Sequence, residues 1–192
     1  MMRPPIPVDR PDWRKLYSSS AVRRAINYDM RSEIMRMSPD QEKTLVLIAI
    51  LKGGVWTTYR LLDALSHYYK DIRVGHMGIS SYGNGRKPDQ MKVTSTLDLS
   101  VEDVRRADVW LVDDIWDTGA TMLRAKEIVG LMHPDHLNTA VLVRRMSSDP
   151  LFKDRPDVAG FRYQDNKFLA GCGMGCGELN RHFDAIYMVP EE

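Results

Sequence analysis

Val109-Trp-Leu-Val-Asp-Asp-Ile-Trp-Asp-Thr-Gly-Ala-Thr121 is the stretch that decides how this chain folds. Val109 to Val112 is apolar at every position, the pattern of a parallel strand buried on both faces. It runs straight into Asp113 and Asp114. After two apolar residues come Asp117, Thr118, Gly119 and Thr121. A helix then opens, with Met122, Ala125, Val129 and Met132 on one stripe. In open parallel sheets ligands bind at the carboxyl ends of strands, so three carboxylates and a Thr/Gly turn are expected there. Such a turn offers backbone N–H groups and hydroxyls to a phosphate. Gly119 lets the backbone approach it closely. Asp113 and Asp114 can accept hydrogen bonds from a sugar diol, and beside a phosphate they would attract Mg²⁺. An Asp-Asp pair standing alone after a strand is as often a helix-capping turn; the full string is more specific.

Outward from this stretch the pattern repeats. Leu45 to Leu51 is another continuous apolar run, closed by Gly53 and Gly54. Val55, Tyr59, Leu62 and Tyr69 mark a helix after it. Val74 to Tyr82 and Lys92 to Leu97 read as strands around a polar loop, Gly83 to Gln90. Thr139 to Val143 is a further strand. Val22, Ile26, Met30 and Ile34 recur every fourth residue and predict an amphipathic helix, with Ser18 to Ser20 supplying its N-cap. Strands alternating with helices imply an α/β fold, a central mainly parallel sheet flanked by helices. The expected organisation is an extended, proline-bearing arm at 1–17 and one domain at 18–192. Its core is expected at about 18–150 and a small C-terminal hood or flap at about 151–192.

Composition removes several classes. Lys plus Arg is 27 and Asp plus Glu is 26, a formal charge of +1 over 192 residues, which argues against a dedicated nucleic-acid binder. The hydrophobic share of 43% supports a packed core. The 2 cysteines cannot build a disulfide scaffold. No apolar run is long enough to span a bilayer and no secretory signal is visible. The expected setting is the cytoplasm, with no membrane partner.

The string 109–121 resembles the phosphoribosyl pyrophosphate (PRPP) signature of the type I phosphoribosyltransferases. The Asp117-Thr-Gly version is similar to the hypoxanthine-guanine and xanthine-guanine branch. Leu51-Lys52-Gly53-Gly54 resembles the family's pyrophosphate loop, which often holds a non-proline cis peptide. Ser81-Tyr82 and the polar segment after it resemble its lid. Asp165-Asn-Lys167-Phe168-Leu169 with Gly171 is similar to its purine-recognition segment. Glu178 and Arg181 sit where the family has a Glu and an Arg. The likeness runs over about residues 20–189.

The resemblance implies an enzyme of purine salvage that joins a 6-oxopurine (hypoxanthine or guanine) to PRPP, giving the nucleoside 5′-monophosphate and pyrophosphate, with Mg²⁺ as cofactor. It implies Asp117 as general base near purine N7. Thr118, Gly119, Ala120 and Thr121 would cradle the 5′-phosphate. Asp113 and Asp114 would face the ribose hydroxyls, directly or through the metal. Lys52, Gly53 and Arg181 would hold the pyrophosphate. Phe168 would stack on the purine and the backbone of Leu169 would read its edge, with Arg144 at the 6-oxo group and Lys167 toward the phosphates. Ser81 and Tyr82 would close over the site and exclude water. Proteins of this fold commonly pair, so a homo-oligomer, dimer or tetramer, is expected.

The chain departs from the family pattern at three places. Arg144-Arg145 stands where the family has Lys-Arg. Gly175, within Gly171-Cys-Gly-Met-Gly-Cys-Gly177, stands where the family has an Asp that helps hold a second Mg²⁺. Trp116 stands at a position usually aliphatic and is expected to pack under the turn. Cys172 and Cys176 form a C-x₃-C pair, a weak zinc pattern for want of further ligands beyond His182. Two other readings remain: a phosphoribosyltransferase for xanthine or another base, and a PRPP-sensing regulator on the same fold that binds nucleic acid.

Overall fold

The computed structural model describes residues 12–81, 91–146, 154–175 and 180–190. Residues 1–11 of the arm expected at 1–17, Tyr82, the polar loop Gly83 to Gln90, Cys176 and Glu178 lie outside the described residues. Nine strands and five α-helices are present among the described residues. The central sheet holds six strands in the order β4-β3-β2-β5-β6-β7. These are β2 (Leu45–Leu51), β3 (Ile72–Ser81), β4 (Met91–Ser95), β5 (Asp108–Trp116), β6 (His136–Arg145) and β7 (Val158–Tyr163). All neighbours run parallel except β4, which is antiparallel to β3. The α/β fold with a mainly parallel sheet is as expected. A second, antiparallel sheet pairs β1 (Arg14–Tyr17), β9 (Ile186–Val189) and β8 (Phe168–Ala170).

The two faces of the central sheet are covered separately. On β2, Leu45 and Leu47 join the core under the N-terminal helices. Val46, Ile48 and Ile50 join the core on the other face with Met122 and Val129. This period-2 division explains why β2, and β5 from Val109 to Val112, are apolar at every position. Trp110 is fully buried on the first face, and its Nε1 donates to Ser38 Oγ at 3.1 Å.

Val22, Ile26, Met30 and Ile34 are all at most 1% exposed. In a regular α-helix a spacing of four drifts about 40° per step. The chain cancels this drift. Helix α1 (Ser19–Arg24) passes through a π-helical turn (Ala25–Met30) into α2 (Arg31–Met37). The wider i→i+5 turn returns the fourfold spacing to one face. Ser18 caps the start, its Oγ accepting from the Ala21 N–H at 3.2 Å.

Two segments extend the expected organisation. Arg14–Tyr17, within the expected arm, is a strand whose register runs from Arg14 opposite Met188 to Tyr17 opposite Ile186. Val158–Tyr163, within the stretch expected as a flap, is the edge strand of the central sheet. It carries Gly160 and Arg162 in place of a continuous apolar run, because an edge strand has a ladder on one side only. The remaining helices are α3 (Gly54–Leu65), α4 (Val101–Val104) and α5 (Ala120–Gly130). No helix among the described residues is long and apolar enough to cross a membrane.

The strands β2, β5 and β6 are tied together at their starts by one buried charge. Asp108 opens β5 with a side chain 4% exposed. Lys43 Nζ lies 2.7 Å from its Oδ1, and His136 Nδ1 lies 2.9 Å from the same atom. Burial pushes the Asp108 carboxyl up, but the Lys43 and His136 contacts outweigh it and hold the group below its ordinary value. Asp108→Ala would leave the Lys43 ammonium to its more exposed partner Asp135, 2.8 Å away, and we expect a loss of about 1–3 kcal/mol in denaturant unfolding. A carboxyl with a depressed folded pKa contributes stability above its unfolded pKa and loses it as pH falls. The gap between parent and variant should therefore be constant from pH 5 to 8, roughly, and close below the ordinary value of 3.8.

Candidate functional site

The carboxyl ends of β2 and β5 meet at one edge of the sheet. β5 ends in Asp113, Asp114, Ile115 and Trp116. Asp113 and Asp114 are 9% and 8% exposed. The Asp114 N–H donates to Asp113 Oδ1 at 2.8 Å, which folds the first carboxylate back over the second residue. Burial, then the neighbouring charge of Asp114, pushes the Asp113 carboxyl well above the usual range. Burial also raises Asp114, opposed by the Asp113 side chain and by the positive charge of Arg181.

From β2 the chain turns at Leu51–Lys52, joined by a cis peptide bond, into Gly53 and then α3. Gly53 lies against the Asp114 carboxylate, and a Cβ there would overlap its oxygens and carbon. Only a residue without a side chain lets the two loops close on each other. Lys52 is exposed beside it.

The turn after β5 is built around Trp116. Gly119 takes φ +80°, a left-handed conformation that suits glycine. A Cβ at that position would strike the Trp116 indole ring. Trp116 thus packs under the turn, as its place in the sequence suggests, and is 3% exposed. Thr118 Oγ1 accepts from the Ala120 N–H at 3.2 Å, and α5 begins there. Asp113 to Met122 together line a cleft of about 190 Å³.

A second cleft of about 230 Å³ adjoins it, sharing Asp114, Ile115 and Asp117. Its other walls are Arg145, Phe168, Leu169, Met174, Gly175 and Arg181. Phe168 is 53% exposed over this cleft, whereas Leu169 is 3% exposed and belongs to the core. A large apolar ring left half in solvent beside polar groups is a surface that a flat ligand can cover. Arg181 reaches across from the hood: its Nη1 donates to the Gly173 carbonyl at 2.7 Å, and the Gly173 N–H donates to the Arg181 carbonyl at 2.9 Å.

One expected residue stands elsewhere. Arg144 lines a different cleft, against α2 and β7, and not the one beside Asp117. The reason is strand phase. Arg144 follows Ala140 and Leu142 on the face covered by the N-terminal helices. Arg145 points the other way. Its Nε lies 3.2 Å from Asp117 Oδ1, its Nη1 donates to the Asn166 carbonyl at 2.7 Å, and its plane sits over the Tyr163 ring. Its place one step out of phase with Ala140 and Leu142 was the available signal. Lys167 lines neither site cleft, and its side chain is exposed. Ser81 ends β3; its lid partner Tyr82 is outside the described residues. The Cys172 thiol is fully buried and pushed up to about 12 by burial, a poor metal ligand. No cluster of three metal-ligating side chains occurs among the described residues.

Known proteins agree with this geometry. Residues 13–175 match the family described as the phosphoribosyl transferase domain. The hypoxanthine-guanine phosphoribosyltransferase of Aquifex aeolicus is 32% identical over 151 residues, covering 78% of this chain and 80% of that protein. The hypoxanthine phosphoribosyltransferase of Salmonella typhimurium is 29% identical over 163 residues, covering 84% and 86%. Among solved structures, the hypoxanthine phosphoribosyltransferase of Trypanosoma cruzi in complex with the product IMP has a TM-score of 0.81 at 22% identity, covering 96% of this chain and 94% of that one, and so shares the fold. A match over residues 13–175, which span the central sheet and the loops after β2 and β5, joined to a relative of this identity, decides the family: the chain belongs to the phosphoribosyltransferases.

Proposed function

We propose that the chain transfers the phosphoribosyl group of PRPP to a 6-oxopurine, hypoxanthine or guanine, and releases pyrophosphate. The observation that carries this reading is the junction of the two clefts at Asp117. One side is a turn suited to a phosphate, and the other is a half-exposed Phe168 suited to a planar base. A ribose bridging them would bring its anomeric carbon beside Asp114 and Asp117.

In the reaction the bond from the anomeric carbon to purine N9 forms as its bond to the pyrophosphate oxygen breaks. The sugar passes through a cationic, oxocarbenium-like state. The purine proton goes to the Asp117 carboxylate, and the leaving charge stays on pyrophosphate. Arg145 orients Asp117 through their ion pair, Nε to Oδ1 at 3.2 Å. The N–H groups of Thr118 to Thr121 and the Thr hydroxyls hold the 5′-phosphate. Gly53, Lys52 and Arg181 hold the pyrophosphate from the opposite loop. Phe168 stacks on the base and the Leu169 backbone reads its edge. Ser81 and Tyr82 exclude water from the cationic carbon.

Asp113 and Asp114 suit a hard cation such as Mg²⁺. Both are buried side by side, and the Asp114 carboxylate lies where a side chain at Gly53 would otherwise stand. Mg²⁺ takes one or two carboxylates and completes its shell with substrate oxygens and water, so two acids without a third ligand match a cation carried in with PRPP. Bound there, it would offset the diphosphate charge.

A reducing, cytoplasmic setting goes with this reading, since Cys172 is a free, buried thiol. So does a homo-oligomer: Tyr28 and Tyr59 are 62% and 48% exposed, apolar area that a second copy would cover. Light scattering on the purified chain should give a mass of at least two copies.

The direct assay supplies PRPP, Mg²⁺ and a panel of bases and follows pyrophosphate release. Release with hypoxanthine and guanine, and none with adenine or uracil, is expected. PRPP binding without release for any base would reject the reading in favour of a PRPP-sensing regulator. Asp117→Asn should lower kcat by about 10²–10⁴-fold while PRPP affinity holds. Asp113→Asn should lose activity yet gain about 0.5–2 kcal/mol of stability without divalent cations. The folded pKa of Asp113 is raised, so charging the group costs stability as pH rises above the ordinary 3.8. The stability gain of the variant should therefore be small near pH 4 and grow toward neutrality, which melting curves across pH will show.

A further inference from the structure

A further cleft, of about 440 Å³, lies away from the site above. It lies on the opposite face of the sheet, between the π-helical turn with α2 on one side and the β6–β7 edge on the other. Arg144, Arg155 and Arg162 open into it. Arg144 and Arg162 stand side by side in register on parallel strands β6 and β7. Like charges directly across a sheet repel and destabilise it, and this pair has no carboxylate to separate it. None of the three arginines makes a hydrogen bond or ion pair through its side chain among the described residues.

The acids of the cleft do not answer that charge. Glu33 is held by Arg36 through Nε at 3.0 Å and Nη2 at 2.6 Å. Asp157 accepts from the Thr139 N–H and hydroxyl, both at 2.8 Å, and pairs with Lys126 at 3.7 Å. Only Asp29 in the lining is without a cation, against three free guanidinium groups. Val158 and Met37 supply an apolar wall between them.

We propose that this cleft is a second anion site, which takes the diphosphate of a small phosphorylated metabolite on Arg144, Arg155 and Arg162. Planar guanidinium forks bind phosphate oxygens two at a time, and a bridging dianion would turn the Arg144–Arg162 repulsion into attraction. The cleft is wide enough for more than a phosphate, so the ligand is a diphosphate either alone or carried on a nucleoside. The site is independent of the reaction proposed above, because none of its residues belongs to either catalytic cleft.

The test is calorimetric titration without divalent cations, using pyrophosphate in one arm and GDP in the other. The parent is expected to bind two equivalents per chain of at least one probe. Arg155→Gln/Arg162→Gln should lose one equivalent, or weaken it by at least about tenfold, and retain the parent's turnover with PRPP and base. Thr121→Val in the GDP arm and Lys52→Ala in the pyrophosphate arm should weaken the other equivalent only, which separates failure of this proposal from failure of the catalytic reading. Equal strength for both probes assigns the site to the diphosphate; tighter GDP assigns it to a nucleotide. Arg162→Gln alone should melt no lower than the parent, since it relieves the repulsion. If the double variant binds both probes with the parent's stoichiometry and affinity, or the parent binds only one equivalent of each, the proposal is overturned.

Discussion

Two carboxylates held out of water at the end of the central strand are the constraint on which the rest of the site depends. Asp113 and Asp114 follow Val109 to Val112, a run with no exposed surface, so they inherit its burial. An isolated charge in that position is costly, and burial with mutual repulsion pushes Asp113 toward its neutral form. The surroundings answer in three ways. The backbone N–H of Asp114 serves Asp113, Arg181 acts on Asp114 from the hood, and Gly53 leaves the space beside the carboxylate free of side chain. A fold that held these acids only for stability would have paired or replaced them. Keeping two buried acids side by side makes sense where a cationic or polyhydroxyl ligand completes them.

That arrangement ties three separate segments into one site. The loop after β2 can close on β5 only because residue 53 is glycine. The hood meets the same loop at Gly173, where a Cβ would strike the Gly53 carbonyl, and the reciprocal Gly173–Arg181 bonds hold Gly173 in the hood. The turn after Asp117 is propped from beneath by Trp116, whose ring occupies the room that a side chain at 119 would need. Each loop is therefore shaped by a contact from another loop, not by its own propensity. A large ring under a left-handed glycine is also a way to hold backbone N–H groups in a fixed direction, which is what binding a phosphate by amides requires.

Elements buried on both faces were legible in the sequence, and elements defined by a distant partner were not. Leu45 to Leu51 and Val109 to Val112 announce themselves because a parallel strand under two layers tolerates no polar residue. The fourfold spacing from Val22 to Ile34 identified the buried stripe, but the π turn that makes the stripe straight leaves no local mark. β7 was hidden because an edge strand mixes Gly160 and Arg162 into its apolar positions, and β1 because its pairing lies with Met188 and Ile186, far along the chain. At the site, the Asp117-Thr-Gly turn could be read because its chemistry is contiguous. Arg145 could not be read by counting motif positions, since what matters is the phase in which β6 leaves the core.

That phase has a consequence beyond one assignment. Adjacent residues of a strand point to opposite faces, so Arg144 and Arg145 carry two positive charges from one backbone position to two surfaces. Arg145 finds a carboxylate in Asp117 and a carbonyl in Asn166. Arg144 finds another arginine, Arg162. The first charge is neutralised within the chain and the second is not, although both leave the same strand end. A positive pair left unanswered at the sheet edge costs the fold something that a neutral side chain would have spared. Its retention beside a cleft of about 440 Å³ is easier to account for by an anion outside the chain than by anything inside it.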